Sequence, residues 1–265
     1  MHSARNQGGA HAELGLTQGV MPRVFHLPDP PANPERSPEV FLPTETRLMM
    51  PGLPGEPSLD AAMRLPRDAT RGVVLCHPHP LYGGTMHSAV ILAIAKVLAE
   101  KAPEATAVMR FNYRGVPSSE GTYGQGLAEV SDVRAAIREL RANIGQKAPI
   151  TLVGFSFGTW VGLRGAALEG GIERVALIAP AVRIFTFVRE DAARFEGRLA
   201  MYLGTEDDFC SVDEAQLLAA DLGASLELFE GFEHYFLKGR RRLADRVVEF
   251  ALPELAQGRA ENTEL

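Results

Sequence analysis

Cysteine is scarce in this chain: only Cys76 and Cys210 occur in 265 residues, too few for a disulfide framework. Both read as ordinary thiols of a reducing compartment. No apolar stretch approaches the roughly 20 residues that a membrane span needs. The N-terminus also lacks the continuous apolar segment of a secretory signal, so the expected location is the cytoplasm with no membrane partner. Basic runs interleaved with aromatics are missing too. With 27 Lys and Arg against 33 Asp and Glu, the net charge of −6 argues against nucleic acid as a partner. The triplet Arg240-Arg241-Arg242 reads as one turn of a solvated helix. No internal repeat is visible, no residue pattern calls for a cofactor, and oligomeric state has no signal here.

What the chain does have is enough apolar matter, 46% of residues, to bury one sizeable core. Residues 1–43 stand apart: they are rich in Gly, Pro, Asn and Gln, and Leu27-Pro-Asp-Pro-Pro-Ala-Asn-Pro34 can hold neither a helix nor an interior strand. They read as a mobile leader, residues 44–256 as the folded domain and 257–265 as a polar tail. Within the domain, short β-rich runs alternate with helical stripes. Thr46 to Met50 and Leu59 to Leu65 bracket a Pro/Gly turn and predict an opening antiparallel pair. Six further runs follow, at Val73 to Cys76, Ala105 to Phe111, Ile150 to Val153, Val175 to Ala179, Leu199 to Leu203 and Leu226 to Phe229. Their apolar character suits strands covered on both faces. Glu227 interrupts the last and places it towards an edge. The pattern predicts an α/β fold with a mostly parallel, doubly wound sheet and a site at the carboxyl ends of its strands.

The run at 150–153 breaks into Gly154-Phe155-Ser156-Phe157-Gly158 and then into a small-residue helix. This G-x-S-x-G arrangement puts a serine on a strand-to-helix turn so sharp that the flanking positions have no room for side chains. Ser156 is the candidate nucleophile. A serine hydroxyl needs a base, and the base an orienting carboxylate, which in such folds follow in the order acid, then histidine. Asp207 follows the strand ending at Leu203, with Glu206 and Asp208 as competitors for the acid. His234 follows the strand ending at Phe229. His77, His79 and His87 precede the serine, against that order, and the remaining histidines lie in the leader. An oxyanion needs two N–H donors. Phe157 supplies one, and the loop Cys76-His-Pro-His-Pro-Leu-Tyr-Gly-Gly84 the other: Pro78 and Pro80 have no N–H, so His79 is preferred, with Leu81 and Tyr82 as alternatives.

Cys76 to Thr85, Arg110-Phe-Asn-Tyr-Arg-Gly115, Ser119-Glu-Gly121, the serine turn, Gly204 to Asp207 and Glu233-His234 together resemble the α/β-hydrolase superfamily over about residues 44–252. More narrowly, they are similar to a compact bacterial group of predicted serine hydrolases related to dienelactone hydrolases. The resemblance implies the fold of that superfamily and hydrolysis of a small ester substrate. Two positions depart from its pattern: Pro78 stands where a glycine is usual in the loop after the third strand, and Val116-Pro117 interrupts the usual Gly-Val-Gly around Arg114. Dienelactone hydrolases carry cysteine where this chain has Ser156, so their substrate is not implied. Arg114 reads as a structural ion-pair partner. Many members of the superfamily carry a cap between the sixth and seventh strands, but Ala181 to Gly197 has room for one short helix, which predicts an open, shallow site. Tyr82, Phe185 and Phe209 are candidates to line it. A thioesterase, lactonase or peptidase shares these residues. Two rivals come from other classes: a zinc hydrolase using His77 and His79, and a non-catalytic binding protein on the same scaffold. No Asp-His pair follows the two histidines, and the expected metal content is none.

Overall fold

The computed structural model describes residues 27–187 and 189–255. The first 26 residues of the predicted leader and the predicted polar tail lie outside the described residues. The eight predicted strands form as β1 (Thr46–Met50), β2 (Leu59–Arg64), β3 (Arg71–Cys76), β4 (Thr106–Phe111), β5 (Ile150–Phe155), β6 (Ile172–Ile178), β7 (Arg198–Gly204) and β8 (Ser225–Phe229). They make one sheet in the order β1-β2-β4-β3-β5-β6-β7-β8. β2 pairs antiparallel with both β1 and β4, and the other pairings are parallel. Every residue of β4 and β5 is buried, as expected of central strands sandwiched between helices. β8 closes the sheet at one edge, where Glu227 meets Arg246 at 2.9 Å in solvent.

Helices cover both faces. α1 (Ala89–Lys101) buries Val90, Ile91, Ile94 and Leu98, and α6 (Arg240–Ala251) buries Leu243, Val247 and Val248. They share one core with Val73, Leu75, Val153 and Ile178. α2 (Glu129–Ile144), α3 (Phe157–Glu169) and α5 (Val212–Leu222) build the other core against Val74, Leu152, Val175 and Met201. α5 starts with a capping box in which Ser211 and Glu214 satisfy each other's backbone N–H. Among the described residues between β6 and β7 the one helix is the short α4 (Arg189–Ala193). Among the described residues no helix is long and apolar enough to cross a membrane.

The sheet fixes where a site can form. β3 and β5 are neighbours, but the chain leaves β3 for β4 on one side and β5 for β6 on the other. Their carboxyl ends therefore open a crevice at the topological switch, into which the loops after both strands project.

Residues 27–43 are the part of the predicted leader that is described. They are without regular structure but lie on the body. Arg36 Nη1 donates to Gly84 O at 3.0 Å, and Val40 N donates to His87 Nδ1 at 3.0 Å. At the root of the segment the Arg110 guanidinium, fully buried, grips Glu45 at 2.6 and 2.7 Å and Val40 O at 2.6 Å. Proline-rich composition signalled the absence of helix and strand correctly, but an irregular segment can still be ordered when its carbonyls find donors.

Candidate active site

Ser156 stands between β5 and α3 with φ 54° and ψ −116°, a left-handed conformation that costs a non-glycine residue energy. The turn is held by Ser156 N donating to Ile178 O at 2.9 Å and by Thr159 Oγ1 donating to Ser156 O at 2.5 Å. A Cβ on Gly154 would strike the Gly158 carbonyl, and one on Gly158 would strike the Cys76 carbonyl. The two glycines thus let α3 fold back against both its own strand and β3.

The loops after β7 and β8 are knitted to each other. Thr205 N donates to Phe229 O at 3.0 Å, Glu206 N to Phe232 O at 2.9 Å, and Gly231 N to Thr205 Oγ1 at 2.9 Å. Asp207 sits in the first loop with its carboxylate fully buried, and one oxygen accepts Phe209 N–H at 2.8 Å. Its neighbours Glu206 and Asp208 are exposed. His234 sits in the second loop, which Glu233 caps by accepting from Tyr235 N at 2.7 Å and Leu237 N at 2.6 Å. His234 Nδ1–H donates to the other Asp207 oxygen at 2.8 Å, and the Ser156 hydroxyl donates to His234 Nε2 at 3.0 Å. Because the carboxylate can only accept, it fixes the tautomer and leaves the Nε2 lone pair facing the serine. Phe155 and Phe209 pack on the imidazole, with ring centroids 5.4 and 4.6 Å away, and hold its plane. Of the three carboxylates considered in the sequence, only Asp207 meets the histidine.

The loop after β3 is equally determined. His77 is buried, its Nδ1–H donating to Pro78 O at 2.6 Å and its Nε2 accepting from Tyr113 N at 3.1 Å. Burial pushes its pKa down to about 3, so the ring is neutral. With both nitrogens engaged, His77 has none to offer a metal. Among the described residues no group of three or more His, Cys, Asp or Glu is placed to hold one. Tying the Pro78 carbonyl also orients the next amide, because N–H and C=O point in opposite directions across one trans peptide. That amide belongs to His79, and it donates to no acceptor among the described residues. The alternative donors are committed inside the loop: Leu81 N donates to His79 Nδ1 at 3.2 Å and Tyr82 N to His79 O at 3.1 Å. Burial lowers the His79 pKa to about 4. Its ring lies against Phe157, centroids 5.0 Å apart. Phe157 itself is the first residue of α3, where an amide has no partner within the helix.

A cavity of about 280 Å³ opens over Ser156 and His234. Tyr82, Phe185 and Phe209, the three predicted lining residues, all border it. So do Ile184, Tyr235, Leu27 and Pro28, which the sequence did not mark. Tyr235 could have been found from its position beside His234. Leu27 and Pro28 carried no periodic or motif signal. The site has no large cap, as expected, and the N-terminal segment adds a wall to the crevice that the sequence did not foretell. Arg114 lies outside this cavity and is structural, bonded to Asp132 at 2.6 and 2.9 Å and to Glu56 at 2.8 Å.

A serine at a strained strand-to-helix turn, a buried Asp-His pair from the next strand ends and this sheet order define an α/β-hydrolase. The profile of the alpha/beta hydrolase family matches residues 73–262, and the chain belongs to that family. Among solved structures it is similar to an α/β serine hydrolase without a lid from Xanthomonas campestris, at 25% identity and a TM-score of 0.67, covering 82% of this chain and 97% of that one. A serine hydrolase homologue from Coxiella burnetii is similar at 25% identity and a TM-score of 0.66, covering 80% and 99%. An esterase from Pyrococcus furiosus, at 17% identity and a TM-score of 0.69 over 84% and 98% of the two chains, shares the fold. An uncharacterized protein of Rickettsia prowazekii is 34% identical over 109 residues, which span 41% of this chain and 44% of that relative's length.

Proposed function

We propose that the chain is a serine hydrolase that cleaves small or short-chain carboxylic esters through an acyl-enzyme intermediate. Ser156 is the nucleophile, His234 the general base and acid, and Asp207 the carboxylate that orients it. The observation that carries this reading is the hydrogen-bonded run from Asp207 through His234 to Ser156, at 2.8 and 3.0 Å. Three side chains distant in sequence converge there in the one order that lets a hydroxyl give up its proton.

As Ser156 Oγ bonds to the ester carbonyl carbon, its proton passes to His234 Nε2 and negative charge gathers on the carbonyl oxygen. Asp207 stabilises the imidazolium so formed. The N–H groups of Phe157 and His79 are the donors assigned to the oxyanion, a contribution of about 10²–10³ in rate per donor in comparable sites. Breaking the bond to the alcohol oxygen releases the alcohol with the proton from His234. A water molecule then attacks the acyl-serine, its proton going to Nε2, and collapse returns that proton to Ser156 with release of the acid. The mostly apolar wall of Tyr82, Phe185 and Phe209 and the small volume favour a compact apolar substituent. Free, buried Cys76 and Cys210 are in keeping with a reducing, cytoplasmic setting, which is part of the same proposal.

The test is a p-nitrophenyl ester series from acetate to decanoate. Turnover of the short esters, with at least a 10³-fold loss in Ser156→Ala, is the expected result. Equal rates in wild type and variant at every chain length would contradict it.

A further inference from the structure

We propose that Leu27 and Pro28, in a proline-stiffened strap, set the size of the group the site accepts and so take the part that a cap plays in larger hydrolases. The inference rests on the serine-hydrolase reading above. The cavity over Ser156 and His234 is bordered by both residues. The chain between β6 and β7 supplies Ile184 and Phe185 to the same lining, and among its described residues it carries one short helix in place of a cap.

Among the described residues the strap is fastened at intervals, and one of these ties lies at the site. The Tyr82 hydroxyl donates to Pro28 O at 2.6 Å. Tyr82 ends the single 3₁₀ turn that follows His79, so the strap is anchored to the loop carrying the assigned oxyanion donor. Next along, the strap crosses that loop at Gly83, where φ is +86° and a Cβ would strike the Glu35 carbonyl. A glycine is required at that crossing for both reasons. Arg36 then bonds to Gly84 O, and Val40 is clamped by His87 and Arg110. Pro28, Pro30, Pro31, Pro34 and Pro38 fix φ along the way, which lowers the entropy lost when the segment is laid down. A flexible leader could not limit a substrate's size; a segment with fixed dihedrals and ties along its described length can.

The experiment compares kcat/KM for p-nitrophenyl octanoate and acetate in wild type, Leu27→Gly, Leu27→Trp and Tyr82→Phe, with labelling of Ser156 by a small fluorophosphonate measured in each. Leu27→Gly should raise the octanoate-to-acetate ratio by about tenfold, the discrimination one or two methylenes carry in an apolar pocket. Leu27→Trp should lower it. Tyr82→Phe keeps the ring that lines the cavity and removes only the tie to Pro28, so it should move the ratio in the direction of Leu27→Gly. Ratios within about twofold of wild type in all three variants, with Ser156 labelled in each, would overturn the inference. A wild-type protein not labelled at Ser156 would instead overturn the serine-hydrolase reading, and this inference with it.

Discussion

His77 and His234 are the same residue type in opposite employment. His234 keeps one ring nitrogen facing a serine, while His77 has both nitrogens bonded to the backbone of neighbouring loops. The sequence placed His234 by order after Ser156 and Asp207, and it marked His79 by elimination between two prolines. It offered His77 only as a zinc ligand in a rival reading, because the amide that fills its Nε2, Tyr113 N beyond the end of β4, cannot be read locally. The consequence is a pH dependence of stability. His77 has a folded pKa near 3, below its unfolded value near 6.5. In that window the unfolded chain binds a proton that the folded chain refuses, so this contribution is intact above about pH 6.5 and is lost as pH falls. His79, lowered to about 4, acts in the same direction. Urea unfolding at pH 7 and pH 5 should show wild type losing about 2 kcal/mol more than His77→Gln, which cannot take up that proton. Equal losses in the two proteins would show that the buried ring is not the cause.

At the scale of elements, the strands were legible because a parallel sheet covered on both faces demands continuous apolar runs, and β3 to β7 supply them. The turn at Ser156 was legible for a different reason, since its two glycines answer a local steric demand. Residues 27–43 were legible only as non-helical and non-strand. Their order depends on donors far along the chain, chiefly Arg110 of β4, which neither periodicity nor propensity encodes. The same ion pair predicts how the segment is held. Glu45→Ala would leave the Arg110 guanidinium buried without its carboxylate, and unpairing a buried charge costs about 3–5 kcal/mol. A fall of that size in unfolding free energy, measured with urea, is the expected outcome. A change below about 1 kcal/mol, the scale of a surface ion pair, would mean that the pair does not anchor the root of the strap.

Across the whole molecule, the sheet order does what no single element can: it sends the chain in opposite directions from β3 and β5 and leaves their loops facing one crevice. β7 and β8 lie on the β5 side, so their loops deliver Asp207 and His234 to the same rim. The alternation of runs foretold an α/β sheet and the residue order foretold which side chains would meet, but the closing wall at Leu27 and Pro28 emerged only in three dimensions. The proposed activity depends on the relay at that rim being chemically competent. Mass spectrometry of the protein after exposure to a fluorophosphonate tests this most directly. The account predicts one covalent adduct, on the peptide containing Ser156, and labelling slowed at least 10³-fold in His234→Ala. An adduct on another residue, or equal labelling rates in wild type and His234→Ala, would contradict it.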